Sequence, residues 1–261
     1  MPAAIVVFDI DGVVRDVAGS YRRAIADTVN QFTQGQYCPT LEDIDLLKQE
    51  GIWNNDWKAS QELIYRYFEA QNRPRESVAL DYDQLVTFFQ SRYRGENFTG
   101  YIQNEPLLMS TVYLEGLTQA DIAWGFFSGA TRGSAQYVLS QRMGLVNPIL
   151  VAMEDAPSKP DPTGLIATIN QLVSVPESEP ALGATPEIPI FYVGDTVADL
   201  QTVAQARQQY PSWQWVGVGV IPPHVQDRAA YGQRLQRVGA IAVLDQVEAL
   251  TPELIFSLGS A

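Results

Sequence analysis

Ala4-Ile5-Val6-Val7-Phe8-Asp9-Ile10-Asp11-Gly12 is a run of apolar, β-branched and aromatic residues that stops abruptly at two carboxylates and a glycine. A run without polar alternation suits a central parallel strand covered on both faces. Ile122 to Phe127, Pro148 to Met153, Ile188 to Val193, Trp213 to Val220 and Ala240 to Leu244 read the same way. Helical stretches separate most of them, so the spacing predicts an α/β fold, a Rossmann-like doubly wound parallel sheet.

Between about Tyr21 and Arg94 the pattern changes to four amphipathic segments with no strand among them. Tyr21, Ile25, Val29 and Phe32 share one helical face, and Tyr82, Leu85, Val86 and Phe89 another. This predicts a helical insert after the first strand, with Gly95 to Pro106 returning the chain to the sheet. Ser174 to Pro189, rich in Pro, Glu and Ala, reads as an exposed loop.

Composition narrows the function classes. The 261 residues carry 46% hydrophobic and 18% charged side chains, near globular norms, with a formal net charge of -13. That field repels polyanions, and no run of Lys and Arg offers a phosphate-backbone stripe, so nucleic acid is not an expected partner. A phosphorylated small molecule would need local cations or a metal to overcome the same field. The lone Cys38 forms no intrachain disulfide, and the lone His224, in a Pro-Pro-His turn, reads as a surface loop residue. The apolar start ends at Asp9, too short for a signal or membrane segment, which makes the cytoplasm the expected location.

In open α/β sheets ligands sit beyond the carboxyl ends of strands, so polar residues ending apolar strands are the candidates. Four places qualify: Asp9 with Asp11, Ser128, Lys159 beyond the third strand, and Asp195 with Asp199. An Asp-x-Asp triplet is weak alone, since about one is expected by chance in a chain this long. Asp43-Ile44-Asp45 and Asp81-Tyr82-Asp83 lie at polar helix starts, where carboxylates cap, and only Asp9-Ile10-Asp11 ends a buried strand. Carboxylates meeting at adjacent strand ends would repel unless a hard cation were bound, and Mg²⁺ takes oxygen ligands of this kind. Each residue has a plainer reading too: Asp9 as a turn or cap residue, Ser128 as the N-cap of a helix from Thr131, Lys159 as surface.

The four elements in this order and spacing resemble the haloacid dehalogenase superfamily of phosphohydrolases: Asp-x-Asp-Gly, a strand-terminal Ser, a Lys-Pro and a Gly-Asp-x-x-x-Asp. The resemblance implies an α/β core over residues 1–16 and 106–261 and a helical cap over 17–105. It also implies an Mg²⁺-dependent phosphatase acting on a small phosphomonoester metabolite. Asp9 would attack phosphorus and form an aspartyl-phosphate, and Asp11 would protonate the leaving alcohol and then activate water. Ser128 and the Gly129 amide would bind phosphoryl oxygens, and Lys159 would neutralise charge. Asp9, the Asp11 carbonyl and Asp195 would hold Mg²⁺, with Asp199 behind them. Ser128-Gly129-Ala130-Thr131 lacks the Asn often found after the motif Ser, which brings in Thr131 or Arg132.

Gly51-Ile52-Trp53-Asn54-Asn55-Asp56-Trp57 is a candidate specificity loop, with Trp53, Asn54 and Asn55 as substrate contacts; Asn55 or Asp56 is equally placed to cap the following helix. Arg15 reads as a solvated arginine, with phosphate or hinge contact as the other reading. Two further functions stay open: a sugar-phosphate mutase of the same architecture, and an inactive metal- or phosphate-binding protein.

Overall fold

The five residues Ala4–Phe8 form strand β1, buried along its whole length. Such a strand needs a neighbour on each side. In this computed structural model, which describes residues 2–53, 55–173 and 188–260, β1 lies between β2 (Ile122–Phe127) and β4 (Ile190–Gly194), parallel to both. With β3 (Leu150–Val151), β5 (Trp215–Val220) and β6 (Ala242–Leu244) the sheet runs β3-β2-β1-β4-β5-β6, every pair parallel. The strands after β1 build outward first to one side and then to the other. A crevice therefore opens at the carboxyl ends between β1 and β4, where the connections diverge.

The chain divides into two compact units, one of Met1–Asp16 with Leu107–Ala261 and one of Val17–Pro106. The first holds the sheet. Ile5, Val7, Phe127, Leu165, Ile169, Tyr192 and Trp215 belong to one of its core clusters. Its helices are α5 (Thr111–Gln119), α6 (Arg132–Gln136, continued as a π-helical turn to Arg142), α7 (Thr163–Leu172), α8 (Val197–Gln209), α9 (Arg228–Arg237) and α10 (Pro252–Gly259). Strands β3 to β6 each start two residues later than their apolar runs, and β3 keeps only two residues of the six from Pro148 to Met153.

The second unit contains α1 (Tyr21–Phe32), α2 (Leu41–Lys48), α3 (Asp56–Ala70) and α4 (Tyr82–Tyr93). Tyr21, Ile25 and Val29 of α1 and Leu85 and Phe89 of α4 are buried, as helical periodicity requires. The two other Asp-x-Asp triplets start helices here. Asp43 closes a capping box with Thr40, and the Asp81 side chain accepts from the amides of Asp83 and Gln84. Those carboxylates are occupied by helix termini. Asp45 pairs with the buried Arg22 on α1.

Among the described residues no helix is long and apolar enough to cross a membrane. His224 lies in a turn, half-buried, and Cys38 is exposed. The proposed loop Ser174 to Pro189 lies almost wholly outside the described residues.

Candidate active site

The first carboxylate is set by strand pairing. Phe8 stands opposite Val193, and the Asp9 amide donates to the Val193 carbonyl at 2.8 Å, so β1 and β4 run out together at the crevice. Asp195 follows β4 by one residue. The chain then turns at Gly12 with φ of +77°, and a Cβ there would lie 2.2 Å from Asp195 Oδ2. Only glycine satisfies both demands, which lets the Asp195 carboxylate rest against the turn of the first motif. Tyr231 on α9 donates its hydroxyl to the Asp195 carbonyl at 2.9 Å and fixes the other side.

Asp199 enters through a helix start. Thr196 is the N-cap of α8, and its amide and hydroxyl donate to Asp199 Oδ2 at 2.9 and 2.6 Å in a capping box. At Gly194 a Cβ would come within 2.2 Å of the Asp199 Cβ, so glycine is again required for the close approach of helix and strand. Asp199 Oδ1 is left facing inward, where it accepts from Tyr192 at 3.1 Å and from the Lys159 ammonium at 2.7 Å.

Lys159 is the cation that joins the acids. Its Nζ lies 2.8 Å from Asp9 Oδ1 as well as 2.7 Å from Asp199 Oδ1, over the rings of Phe127 and Tyr192. Its side chain is only 8% exposed, which replaces the surface reading with a buried ion pair. Burial alone would depress this ammonium, yet Asp199 and Asp9 hold it above its ordinary value. Burial raises the Asp9 carboxyl to about 7, with Asp199 and Asp11 adding to the rise and Lys159 opposing it. Asp199 moves the other way. Burial would raise it, but Lys159 and the Thr196 donors keep it below the usual carboxylate range.

Asp9, Asp195 and Asp199 are all buried and each offers an oxygen within 4.8 Å of the others. One ammonium, paired with Asp9 and Asp199, stands among three buried carboxylates, so the cluster has more acidic than basic groups in a dry setting. Hard oxygen donors of this density fit a divalent cation such as Mg²⁺. The cluster could hold a metal.

Asp11 stands apart from that cluster, half-buried, and its carboxylate pairs with Arg15. The expectation of a solvated Arg15 is corrected: its side chain has no exposed surface. Opposite charge four residues away, across a turn, meets it there.

Ser128 follows β2 directly, 1% exposed, its amide donating to the Val151 carbonyl and its hydroxyl oxygen accepting from the Ala130 amide at 3.1 Å. Next to it, a Cβ at Gly129 would meet nothing within 4 Å, leaving that backbone open to approach. The Arg132 guanidinium is engaged by Asp155, and its amide donates to Glu154 at 2.8 Å. Thr131 is the N-cap residue of α6, its hydroxyl donating to Ser134 Oγ at 3.1 Å.

The specificity-loop candidates lie in the helical unit. Asn55 is the N-cap of α3, its side chain accepting from the Trp57 and Lys58 amides at 3.0 Å each. Trp53 Nε1 donates to Glu50 Oε2 at 2.7 Å, and Asn54 lies outside the described residues. A cap of this kind contributes about 1 kcal/mol. Asn55→Ala is therefore expected to lower the unfolding free energy by about 1 kcal/mol. Chemical denaturation checks this, and an unchanged midpoint would count against the capping assignment.

Sequence reasoning passed over Tyr192, Thr196 and Tyr231, which orient Asp199 and Asp195. Tyr192 and Thr196 flank the Gly-Asp motif, and a polar hydroxyl inside an apolar strand was the available signal. Tyr231 comes from a distant helix and left none.

Comparison with known proteins extends the fold's message. Over 253 residues the chain is 28% identical to a protein of Phytophthora nicotianae named imidazoleglycerol-phosphate dehydratase, matching 93% of this chain and spanning about half, 50%, of that longer protein. Among solved structures it is similar to the phosphatase Tt82 of Thermococcus thioreducens, with 22% identity, a TM-score of 0.61, and coverage of 89% of this chain and 99% of that one. A HAD hydrolase, family IA, variant 3, of Entamoeba histolytica superposes with a TM-score of 0.62 at 13% identity over 99% of both chains. These two likenesses are of fold. The family model for haloacid dehalogenase-like hydrolases matches residues 3–207, from β1 through the strand-end acids to α8, and the chain belongs to that family of enzymes.

Proposed function

We propose that the chain is a phosphatase that hydrolyses a small phosphomonoester through an aspartyl-phosphate on Asp9, with Mg²⁺ as its cofactor. The observation that carries this reading is the Asp9–Lys159–Asp199 ion triad buried beside Asp195 at the switch point of the sheet. A phosphoryl group has charge on three oxygens, and its transfer is catalysed by positioning and by compensating charge rather than by elaborate covalent chemistry. Each residue has one part. Asp9 supplies the attacking oxygen, and Lys159 holds it in line. Ser128 and the open Gly129 backbone receive phosphoryl oxygens, and Asp11 moves the proton. Asp9, Asp195 and the Asp11 carbonyl would hold the ion, with Asp199 steadying Lys159. Bound there, the ion supplies positive charge to the transferring group and to Asp9.

In this reading residues 17–105 act as a cap that selects the leaving group, with Trp53, Asn54 and Asn55 as its candidate contacts and Arg132 as a further phosphate ligand once released from Asp155. The protein works on a small metabolite in the cytoplasm, without nucleic acid or membrane as partner. The name of the longer relative contains the phosphate ester of an imidazole-bearing polyol, so imidazoleglycerol phosphate and phosphates of related imidazole alcohols belong beside sugar phosphates and phosphoglycolate in a first panel.

The test is inorganic phosphate release from that panel and from an aryl phosphate, with Mg²⁺ and with chelator. Release that requires the ion supports the reading. A product in which the phosphoryl group has moved to a second hydroxyl would identify a mutase instead, and no turnover of any ester would leave only a binding protein.

A further inference from the structure

We propose that Arg15 is a positioning residue that holds Asp11 where it can hand a proton to the departing alcohol. The inference rests on the phosphatase reading above and adds to it a residue that none of the four motif elements contains.

An arginine is almost never fully buried without a partner, because removing a guanidinium from water costs several kcal/mol. Arg15 is the largest of the fully buried side chains, at 0% exposure. Among its contacts, two atoms of the guanidinium meet one oxygen of the site. Nε donates to Asp11 Oδ1 at 2.7 Å and Nη2 lies 2.6 Å from the same oxygen, so the guanidinium charge is set against one oxygen, and Oδ2 is the one proposed to exchange the proton. The Asp11 side chain itself retains 27% exposure, so an open carboxylate is anchored from beneath by a sealed cation.

The backbone under Arg15 is equally fixed. The Gly12 amide donates to the Arg15 carbonyl at 2.9 Å, and the Arg15 amide donates to Ile10 at 3.2 Å. Arg15 also forms β-bridges with Asp11 and with Leu107. A carboxylate on the solvent side of a turn would otherwise sample several rotamers, and small misplacements of a reacting group cost about 10²-fold in rate. Arg15 removes that freedom.

The proton accounting is closed. As Asp9 oxygen bonds to phosphorus and the phosphorus–alkyl oxygen bond breaks, the alkyl oxygen keeps the electron pair and takes the proton from Asp11. Asp11 then accepts a proton from water as the water oxygen bonds to phosphorus and the Asp9–phosphorus bond breaks. The sum is ester plus water to alcohol plus phosphate, with both aspartates restored.

Proton delivery matters for a poor leaving group and little for a good one, and this separates positioning of Asp11 from general support of the fold. The experiment compares kcat/KM, which ends at alcohol release, for an alkyl phosphate and for 4-nitrophenyl phosphate at one pH. Arg15→Met is expected to lower the alkyl value by about 10²-fold and the aryl value by less than about tenfold. Asp11→Asn should show the same bias, and combining the two should add nothing to it. Arg15→Lys keeps the charge but not the fork, and should restore part of the alkyl rate. Equal losses on both esters in Arg15→Met, or in Arg15→Lys where the methionine variant does not fold, would overturn the proposal while leaving the phosphatase reading intact. A wild-type protein inactive on every ester of the panel would overturn the two together.

Discussion

Asp9→Asn is expected to cut Mg²⁺-dependent phosphate release by roughly 10³-fold or more, while making the metal-free protein more resistant to heat at pH 8. The amide has no charge with which to attack phosphorus, so the first effect follows from the proposed role. The second follows from burial. The folded-state carboxyl of Asp9 is raised to about 7, so ionising it is harder in the folded chain than in the unfolded one. Between the ordinary carboxylate range and about pH 7 the native state then binds more protons than the unfolded state, and stability falls as pH rises. Asparagine has nothing to ionise. Its advantage in chelator should be present at pH 8 and shrink toward pH 4, and added Mg²⁺ should stabilise the wild type more than the variant. Thermal melts across pH, with chelator and with Mg²⁺, read all of this. Undiminished turnover, or a variant less stable than wild type in chelator at pH 8, would contradict the account.

Lys159→Met should be the most damaging single change to the fold. Removing one partner from a buried ion pair leaves uncompensated charge and costs about 3–5 kcal/mol. In a protein of this size that lowers the melting temperature by about 10 °C. The sign with pH is fixed by what remains. Without the ammonium, Asp9 is left with burial and the Asp199 and Asp11 charges, which favour its protonated form, and Asp199 has only the Thr196 and Tyr192 donors to set against its burial. The deficit should accordingly grow as pH rises and narrow in acid. Mg²⁺ should recover part of it by replacing the lost charge, and turnover should drop by about 10²-fold or more. A methionine variant that melts with the wild type at pH 8 in chelator would show that the triad is not held together by this lysine.

Legibility followed burial and period. β1, β2 and β4 could be placed from sequence because strands covered on both faces show as unbroken apolar runs, and the acids that end them inherit their positions from the pairing of Phe8 with Val193. The helical insert was visible because Ile25, Val29, Leu85 and Phe89 recur at helical spacing. Arg15 could not be read this way. Nothing in Gly12-Val13-Val14-Arg15-Asp16 says that the turn folds back far enough to bring a guanidinium onto Asp11, since that depends on Leu107, remote in sequence. Asn55 suits both a binding loop and a helix cap, and local sequence does not choose between them. The hydroxyls of Tyr192 and Tyr231 act through Asp199 and through the Asp195 carbonyl, contacts that only a folded sheet creates.

The Leu108 amide donates to the Val14 carbonyl at 2.8 Å, and Arg15 bridges Leu107, so the chain leaves the sheet unit and re-enters it through one narrow neck. For the sheet, everything between is a loop whose ends are already tied, and the entropic cost of such a loop grows only with the logarithm of its length. A lineage could therefore swap, enlarge or trim that cassette while the strand order stayed untouched, letting recombination revise one half of the molecule without renegotiating the other.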